Sequence, residues 1–349
     1  MAGTMRAAYL TAHGGNEAVA IGERPRPARG PGEVLVRLRA ATLNRVDLYM
    51  RDSGAGITHS LPLIMGVDGA GVIEALDPAE RRLSVGQEVV LYPAIVCGAC
   101  EFCRRGDQPL CTAIRVLGEH RDGTFAEWVS LPAANLFPAP PGFTAAEAAS
   151  LGVNFLTAWR MLFGKARLQP WETVLVFGIG SGVALAALQL ARTAGARVIV
   201  TSRSDEKLAR ATALGAAAAI NGRAEDVVAR VMAATGGRGV DVVVESVGRE
   251  AWPIALKSVV RGGRIVTCGA TSGDDPSADL RRVFIRQLQI LGSTLGSFEE
   301  FRTLLAFCAR HQLKPVIDSS WPLAGLHGAL DRLAAGAQFG KLVIDPTAG

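Results

Sequence analysis

The chain has 349 residues, 49% hydrophobic and 20% charged, a balance that supports a sizeable core and excludes a disordered protein. Its net charge of +5 comes from scattered arginines, with no basic block interleaved with aromatics, so it reads as a solvated surface and not as a nucleic-acid-binding face. Apolar runs such as VALAALQLA fall far short of the ~20 residues that span a bilayer, so no membrane partner is expected.

The opening MAGTMRAAYL has no signal-peptide pattern, and the sequence leaves open whether Met1 or Met5 is the native start. Six cysteines in a chain without an export signal point to a reducing, cytoplasmic location. Cys268 and Cys308 stand alone and read as buried small hydrophobes.

Three textures follow one another. Residues 1–138 are rich in Gly, Pro and short apolar runs such as GEVLVRLRAATLN and GQEVVLYP, the pattern of short strands in an antiparallel or barrel-like domain. Residues 139–297 alternate strands and helices. The expected strands are 174–177, 196–202, 217–220, 240–246, 264–269 and 288–294, with helices over 183–195, 205–215 and EDVVARVMAATG. Continuous Val/Ile runs separated by helices mean an α/β, doubly wound parallel sheet of six strands. Residues 298–349 hold two helices and the strand KLVID; too short to stand alone, they are expected to return and complete the first domain.

The first strand of the alternating region runs into FGIGSGVA. Gly178 and Gly180 would allow a tight turn and Gly182 would let the backbone approach a pyrophosphate at the helix N-terminus, with Ser181 and Val183 beside it; the spacing departs from G-x-G-x-x-G, and Ala184 stands where a last small residue would pack helix against strand. The second strand ends in TSRSDEK. Where an NAD site usually has a carboxylate, this chain has Ser202 and Arg203, with Lys207 one turn on; arginine can grip a 2′-phosphate, so NADP(H) is favoured. Arg203 as a plain surface residue with mixed specificity is the competing reading.

CGACEFCRRGDQPLC places Cys97, Cys100, Cys103 and Cys111 at the spacing of an all-thiolate tetrahedral zinc site. Four protein ligands leave no position for water or substrate, so one structural Zn2+ per chain is expected.

Together, GEVLVRLRAATLNRVDLYMR, LPLIMGVDGAGVIEA, the cysteine lobe, the FGIGSGVA turn and GSTLGS near residue 295 resemble the medium-chain dehydrogenase/reductase superfamily over essentially the whole length, in order and spacing. The resemblance implies a GroES-like catalytic domain, a Rossmann domain, hydride transfer to or from a small molecule, and a homodimer or homotetramer. It further implies that Asn154, Thr157, Lys341 and groups at Gly269, Ala270, Thr271, Leu295 and Gly296 bind the cofactor.

Many members of that superfamily carry a second, catalytic zinc. By resemblance its ligand positions fall here on Asn44, Val67 and Val153, and the hydroxyl that relays the alcohol proton falls on Val46. Two valines cannot ligate zinc, and His59 and His120 read as surface or loop histidines, so no metal is expected at the reacting carbonyl. The pattern of Asn44, Asp47 and Tyr49 is similar to the quinone oxidoreductase and zinc-independent enoyl reductase branch, whose members usually lack the cysteine lobe.

The expected activity is therefore NADPH-dependent hydride transfer to a quinone or an α,β-unsaturated carbonyl. Asn44 and Tyr49 would serve as neutral donors to the developing oxyanion, and Asp47 would orient them. A zinc-type alcohol dehydrogenase with substituted ligands and a non-enzymatic NADPH-binding protein remain as alternatives.

Overall fold

A computed structural model describes residues 3–348, which excludes Met1 and with it the question of the start. Two compact units are present: one comprises residues up to Asn154 and from Gly296 onward, the other Phe155–Leu295.

The first unit opens with β1 (Thr4–Leu10), β2 (Val19–Pro25) and the long β3 (Glu33–Thr42), which leads into α1 (Arg45–Ser53). On β3, Val36 and Leu38 are fully buried while Arg37 and Arg39 are exposed, the period of two of a half-buried strand, whereas Val34–Val36 and Ala40–Thr42 are buried throughout. Then come β4 (Leu63–Ile64), β5 (Asp68–Ala75), β6 (Glu88–Leu91) and β7 (Ala94–Ile95). A lobe containing α2 (Glu101–Arg104) is followed by β8 (Arg115–Val116), which pairs antiparallel with β7 and closes the lobe at its base. After β9 (Trp128–Pro132), β10 (Leu136–Pro138) and α3 (Ala145–Ala149), the chain leaves this unit. The expected boundary at 138 moves to Asn154 because α3 packs across β3 and β5, tying residues beyond 138 to the first core.

The second unit starts with α4 (Leu156–Trp159) and is built on β11 (Thr173–Val176), α5 (Gly182–Thr193), β12 (Arg197–Ser202), α6 (Asp205–Ala213), β13 (Ala218–Asn221), α7 (Val227–Ala234) and β14 (Val240–Glu245). It continues through α8 (Trp252–Ser258), β15 (Val259–Thr267), α9 (Leu280–Arg286) and β16 (Gln289–Gly292). All six strands run parallel in the order β13-β12-β11-β14-β15-β16, the arrangement of a doubly wound dinucleotide-binding sheet. Every residue of β14 is buried, as a central strand covered on both faces demands. Ser181 caps α5, its Oγ accepting from Ala184 N at 3.4 Å, and Ser204 caps α6, with Asp205 and Glu206 in its first turn.

Besides the one-turn α4, helices α8 and α9 are not anticipated by the sequence. α8 carries Pro253 in its first turn, and α9 buries none of its residues; each is seven residues long, too short for its apolar positions to repeat over several turns. β15 begins at Val259, earlier than the expected 264, because the glycines at 262 and 263 sit inside the strand instead of ending it.

The chain re-enters the first unit with α10 (Phe298–His311), β17 (Ile317–Pro322), α11 (Leu326–Ala334) and β18 (Lys341–Asp345). β18 pairs antiparallel with β3 and parallel with β17, extending the first unit's sheet to β10-β6-β5-β3-β18-β17, with β9 also on β3. Lys341, the first residue of β18, is thereby delivered to the end of β3.

Candidate functional site

The end of β3, the start of α1, the first residue of β5 and the first residue of β18 bring four polar side chains together inside the first unit. Lys341 Nζ donates to Asn44 Oδ1 and Asn154 Oδ1, each at 2.8 Å, and to the Leu43 carbonyl at 2.9 Å, and lies 3.3 Å from Asp68 Oδ2. Asp68 is saturated: its Oδ2 accepts from Asn44 Nδ2 at 2.8 Å and Thr42 Oγ1 at 2.9 Å, and its Oδ1 from Val153 N at 2.7 Å. Asn44, Asp68 and Lys341 are all buried. Burial holds the Lys341 ammonium below its ordinary pKa, with the Asp68 carboxylate opposing the shift.

This network fixes both asparagine amides without ambiguity. An ammonium can only donate, so the amide oxygens of Asn44 and Asn154 must face Lys341. The Asn44 NH2 group then spends its hydrogens on Asp68 and on the Thr42 carbonyl at 3.2 Å. The expected role of Asn44 as an oxyanion donor is therefore corrected: in this arrangement it is a strut with no hydrogen to give. Asn154 differs. It is half-buried, and among the described residues its Nδ2 has no bonded partner, so both its hydrogens remain to be donated.

Asp47 accepts from Asn44 N at 2.7 Å across the first turn of α1. Burial pushes its carboxyl up to about 7; the Asn44 N–H opposes this, and the charge of Asp68 adds to it. Tyr49, on the same helix, is 41% exposed and lies outside the network. Val67 is buried and Val153 half-buried, and neither offers a donor atom. Lys341 is expected from the resemblance as a cofactor residue, but its pairing with Asp68 is not anticipated. The available signal was a lysine opening the apolar strand KLVID and an aspartate inside MGVDGAG, two opposite charges in segments whose neighbours are buried.

In the second unit, Gly178 and Gly180 sit at φ 68° and 111° between β11 and α5, with Ser181, Gly182 and Val183 leading into the helix. A Cβ on Gly180 would fall 2.8 Å from Lys207 Cδ and 3.2 Å from its Nζ, so the lysine side chain lies against the turn. A glycine turn, a helix N-terminus and an ammonium together suit a diphosphate. Ser202 Oγ accepts from Ser204 N at 3.2 Å, and the neighbouring Arg203 is exposed. Gly269 and Ala270 are exposed after β15, and Thr271 Oγ1 donates to the Ser246 carbonyl at 3.3 Å. Thr157 is buried on α4, and Leu295 takes the left-handed conformation with φ 45°. Gly296, in the first unit, accepts from Tyr92 Oη at 2.7 Å. Lys341 bonds within the polar network rather than standing free for a cofactor.

In the lobe, Cys97, Cys100, Cys103 and Cys111 bring their sulfurs within 4.8 Å of one another, with Cys97–Cys111 at 3.6 Å and Cys97–Cys103 at 3.9 Å. A tetrahedral ion at ~2.3 Å from each sulfur sets that edge at ~3.8 Å. The N–H groups of Cys97, Cys100 and Cys103 donate to cysteine sulfurs, which stabilises thiolate charge. The four residues are placed to hold a metal with no open position.

Comparison with known proteins agrees with both units. A family model described as the alcohol dehydrogenase GroES-like domain matches residues 30–141, and one described as zinc-binding dehydrogenase matches residues 182–310. An alcohol dehydrogenase of Geobacillus stearothermophilus is 31% identical, covering 93% of this chain and 95% of its own length. A crystal structure described as an NAD-dependent alcohol dehydrogenase is 42% identical, with a TM-score of 0.94, covering 99% of this chain and all 100% of the other. The cobalt- and zinc-bound thermostable alcohol dehydrogenase of Pyrobaculum aerophilum is 31% identical, with a TM-score of 0.89 over 99% of this chain and 100% of that one.

Proposed function

This chain belongs to the medium-chain dehydrogenase/reductase superfamily, among its zinc-type alcohol dehydrogenase-like oxidoreductases, and we propose on that premise that it is an NADPH-dependent reductase of quinones or α,β-unsaturated carbonyls. The observation that carries this reading is the Lys341 ammonium bonded to Asn44, Asp68 and Asn154. The residues at the three positions that would ligate a catalytic zinc do not fit one. Val67 and Val153 have no donor atom in their side chains, and the single amide oxygen of Asn44 already accepts from Lys341.

NADPH, when bound, supplies the hydride. The second unit would hold it with the Gly178–Gly180 turn, the N-terminus of α5 and Lys207, while exposed Arg203 offers a charged fork to the 2′-phosphate. In the first unit Lys341 holds Asn154 by its oxygen, leaving the Nδ2 hydrogens as neutral donors to an enolate or phenolate oxygen. The exposed Tyr49 hydroxyl, or water, delivers the proton. Conjugated acceptors suit this equipment because negative charge appears on an oxygen remote from the carbon receiving hydride. Oxidising an alcohol requires instead that a hydroxyl lose its proton near neutrality, the task a catalytic zinc makes easy.

The four lobe cysteines would hold one structural Zn2+ per chain, in a reducing, cytoplasmic setting. Edge strand β16 exposes Ile290, and α9 exposes Leu280, Phe284 and Ile285, which supports pairing of two copies across a two-fold into a homodimer or homotetramer.

The names of the relatives favour a second reading, oxidation of alcohols with NAD. Oxidation of NADPH and NADH with a quinone, an enone and an aldehyde, each with and without a chelator, separates the two. The proposal expects NADPH-driven reduction of the quinone or enone that persists in chelator while the chain stays folded. Turnover of aldehyde alone, abolished by chelator, would establish the alcohol dehydrogenase instead.

A further inference from the structure

His13, in the bend after β1, and His59, beyond α1, face each other inside the first unit. Each ring is anchored by its far nitrogen. His13 Nδ1 lies 2.9 Å from the Met50 carbonyl, and His59 Nδ1 lies 2.7 Å from the Ile57 carbonyl. A carbonyl oxygen only accepts, so each Nδ1 carries a hydrogen, and in the neutral rings each Nε2 carries a lone pair. Yet the two Nε2 atoms point at each other across 3.2 Å, with the rings nearly perpendicular at 83°. Two lone pairs at that distance repel unless a cation lies between them.

The spacing fits a metal ion between them. A tetrahedral ion bound at ~2.0–2.1 Å from each imidazole nitrogen sets the two nitrogens ~3.3 Å apart. Anchoring of the distal N–H by a backbone carbonyl is also what orients histidines that ligate metals. The local backbone is shaped for the pair. Gly54 has φ 70°, and a Cβ there would fall 2.9 Å from His59 Cε1 and 3.0 Å from His13 Cε1 and Nε2, so a larger residue would push the rings apart. His13 is exposed and His59 half-exposed, so an ion can enter from solvent.

We propose that His13 and His59 form a two-histidine site for a divalent transition ion of the zinc class, with water filling the remaining positions. The bound ion clamps the segment after α1 to the loop after β1. With only two protein ligands, it exchanges readily, unlike the ion caged by four thiolates.

The test uses protein carrying zinc in its cysteine lobe, titrated with Co2+ by visible absorption and with Zn2+ by calorimetry at neutral pH. One further ion per chain is expected, held with micromolar affinity. His13→Ala and His59→Ala should each weaken it by at least about tenfold, with the lobe zinc retained and the metal-free melting temperature unchanged. The proposal fails if both variants bind the extra ion as the parent does. It fails equally if no ion binds up to millimolar concentration, in which case the two rings share a proton.

Discussion

Lys341 and Asp68 stand 273 residues apart in the chain and 3.3 Å apart in the fold, with side chains only 3% and 0% exposed. Neither charge could be buried alone. Removing one partner of a buried pair costs about 3–5 kcal/mol, most of it the penalty of the charge left behind. Lys341→Met should lower stability by about that amount in denaturant unfolding, and adding Asp68→Asn should recover a large part of it. A Lys341→Met chain unfolding at the parent's midpoint would show that the pair does not hold the network.

The two asparagines should part company in kinetics. Asn154→Ala removes the uncommitted donor and is expected to lower kcat about 100-fold on the preferred acceptor, with a smaller loss of stability than Asn44→Ala because it gives up one bond to Lys341. Asn44→Ala removes a strut bonded to Lys341, Asp68 and Thr42, so it should lower stability by about 2 kcal/mol. Equal losses of kcat and stability in both variants would contradict the division of labour.

Burial pushes Asp47 up to about 7, and burial does the same to Glu119. Between the ordinary carboxylate range and about pH 7, the folded chain keeps protons that the unfolded chain has released. Stability from these groups is therefore full in acid and is lost as pH rises through about 7. Each contributes a slope of at most about 1.4 kcal/mol per pH unit. Asp47→Asn keeps an oxygen for the Asn44 N–H, so it should reduce the slope, and adding Glu119→Gln should flatten it further. Denaturant unfolding from pH 4 to 8 checks this; a slope unchanged in the double variant would count against it.

Cofactor choice is expected to turn on Arg203. Its replacement, Arg203→Glu, places a carboxylate where the 2′-phosphate would sit. NADPH binding should weaken by about 10–100-fold, the scale of lost charge-assisted hydrogen bonds, while NADH binding holds or improves. Fluorescence titration with both nucleotides reads the change. Unaltered NADPH affinity would remove Arg203 from the site.

Local signals made much of this legible in advance. Strand–glycine turn–helix, Val/Ile runs between helices and four closely spaced cysteines each depend on residues near one another in sequence, where period and spacing are read directly. α9 escaped because its apolar residues recur within a single seven-residue run, too short to set a period, and the boundary at Asn154 escaped because only packing of α3 on β3 and β5 draws it there. Asn44 was picked out by position, but its loss of every spare hydrogen depends on what meets it.

The sequence by itself determined the two folding patterns, the cysteine cage and the lack of donor atoms at positions 67 and 153, since these follow from side-chain chemistry and local order. Only the tertiary structure decided that Lys341 joins Asn44, Asp68 and Asn154, and which amide keeps hydrogens to give. A charge in an apolar segment announces that it needs a partner; which partner it finds depends on strands from distant parts of the chain meeting in one sheet.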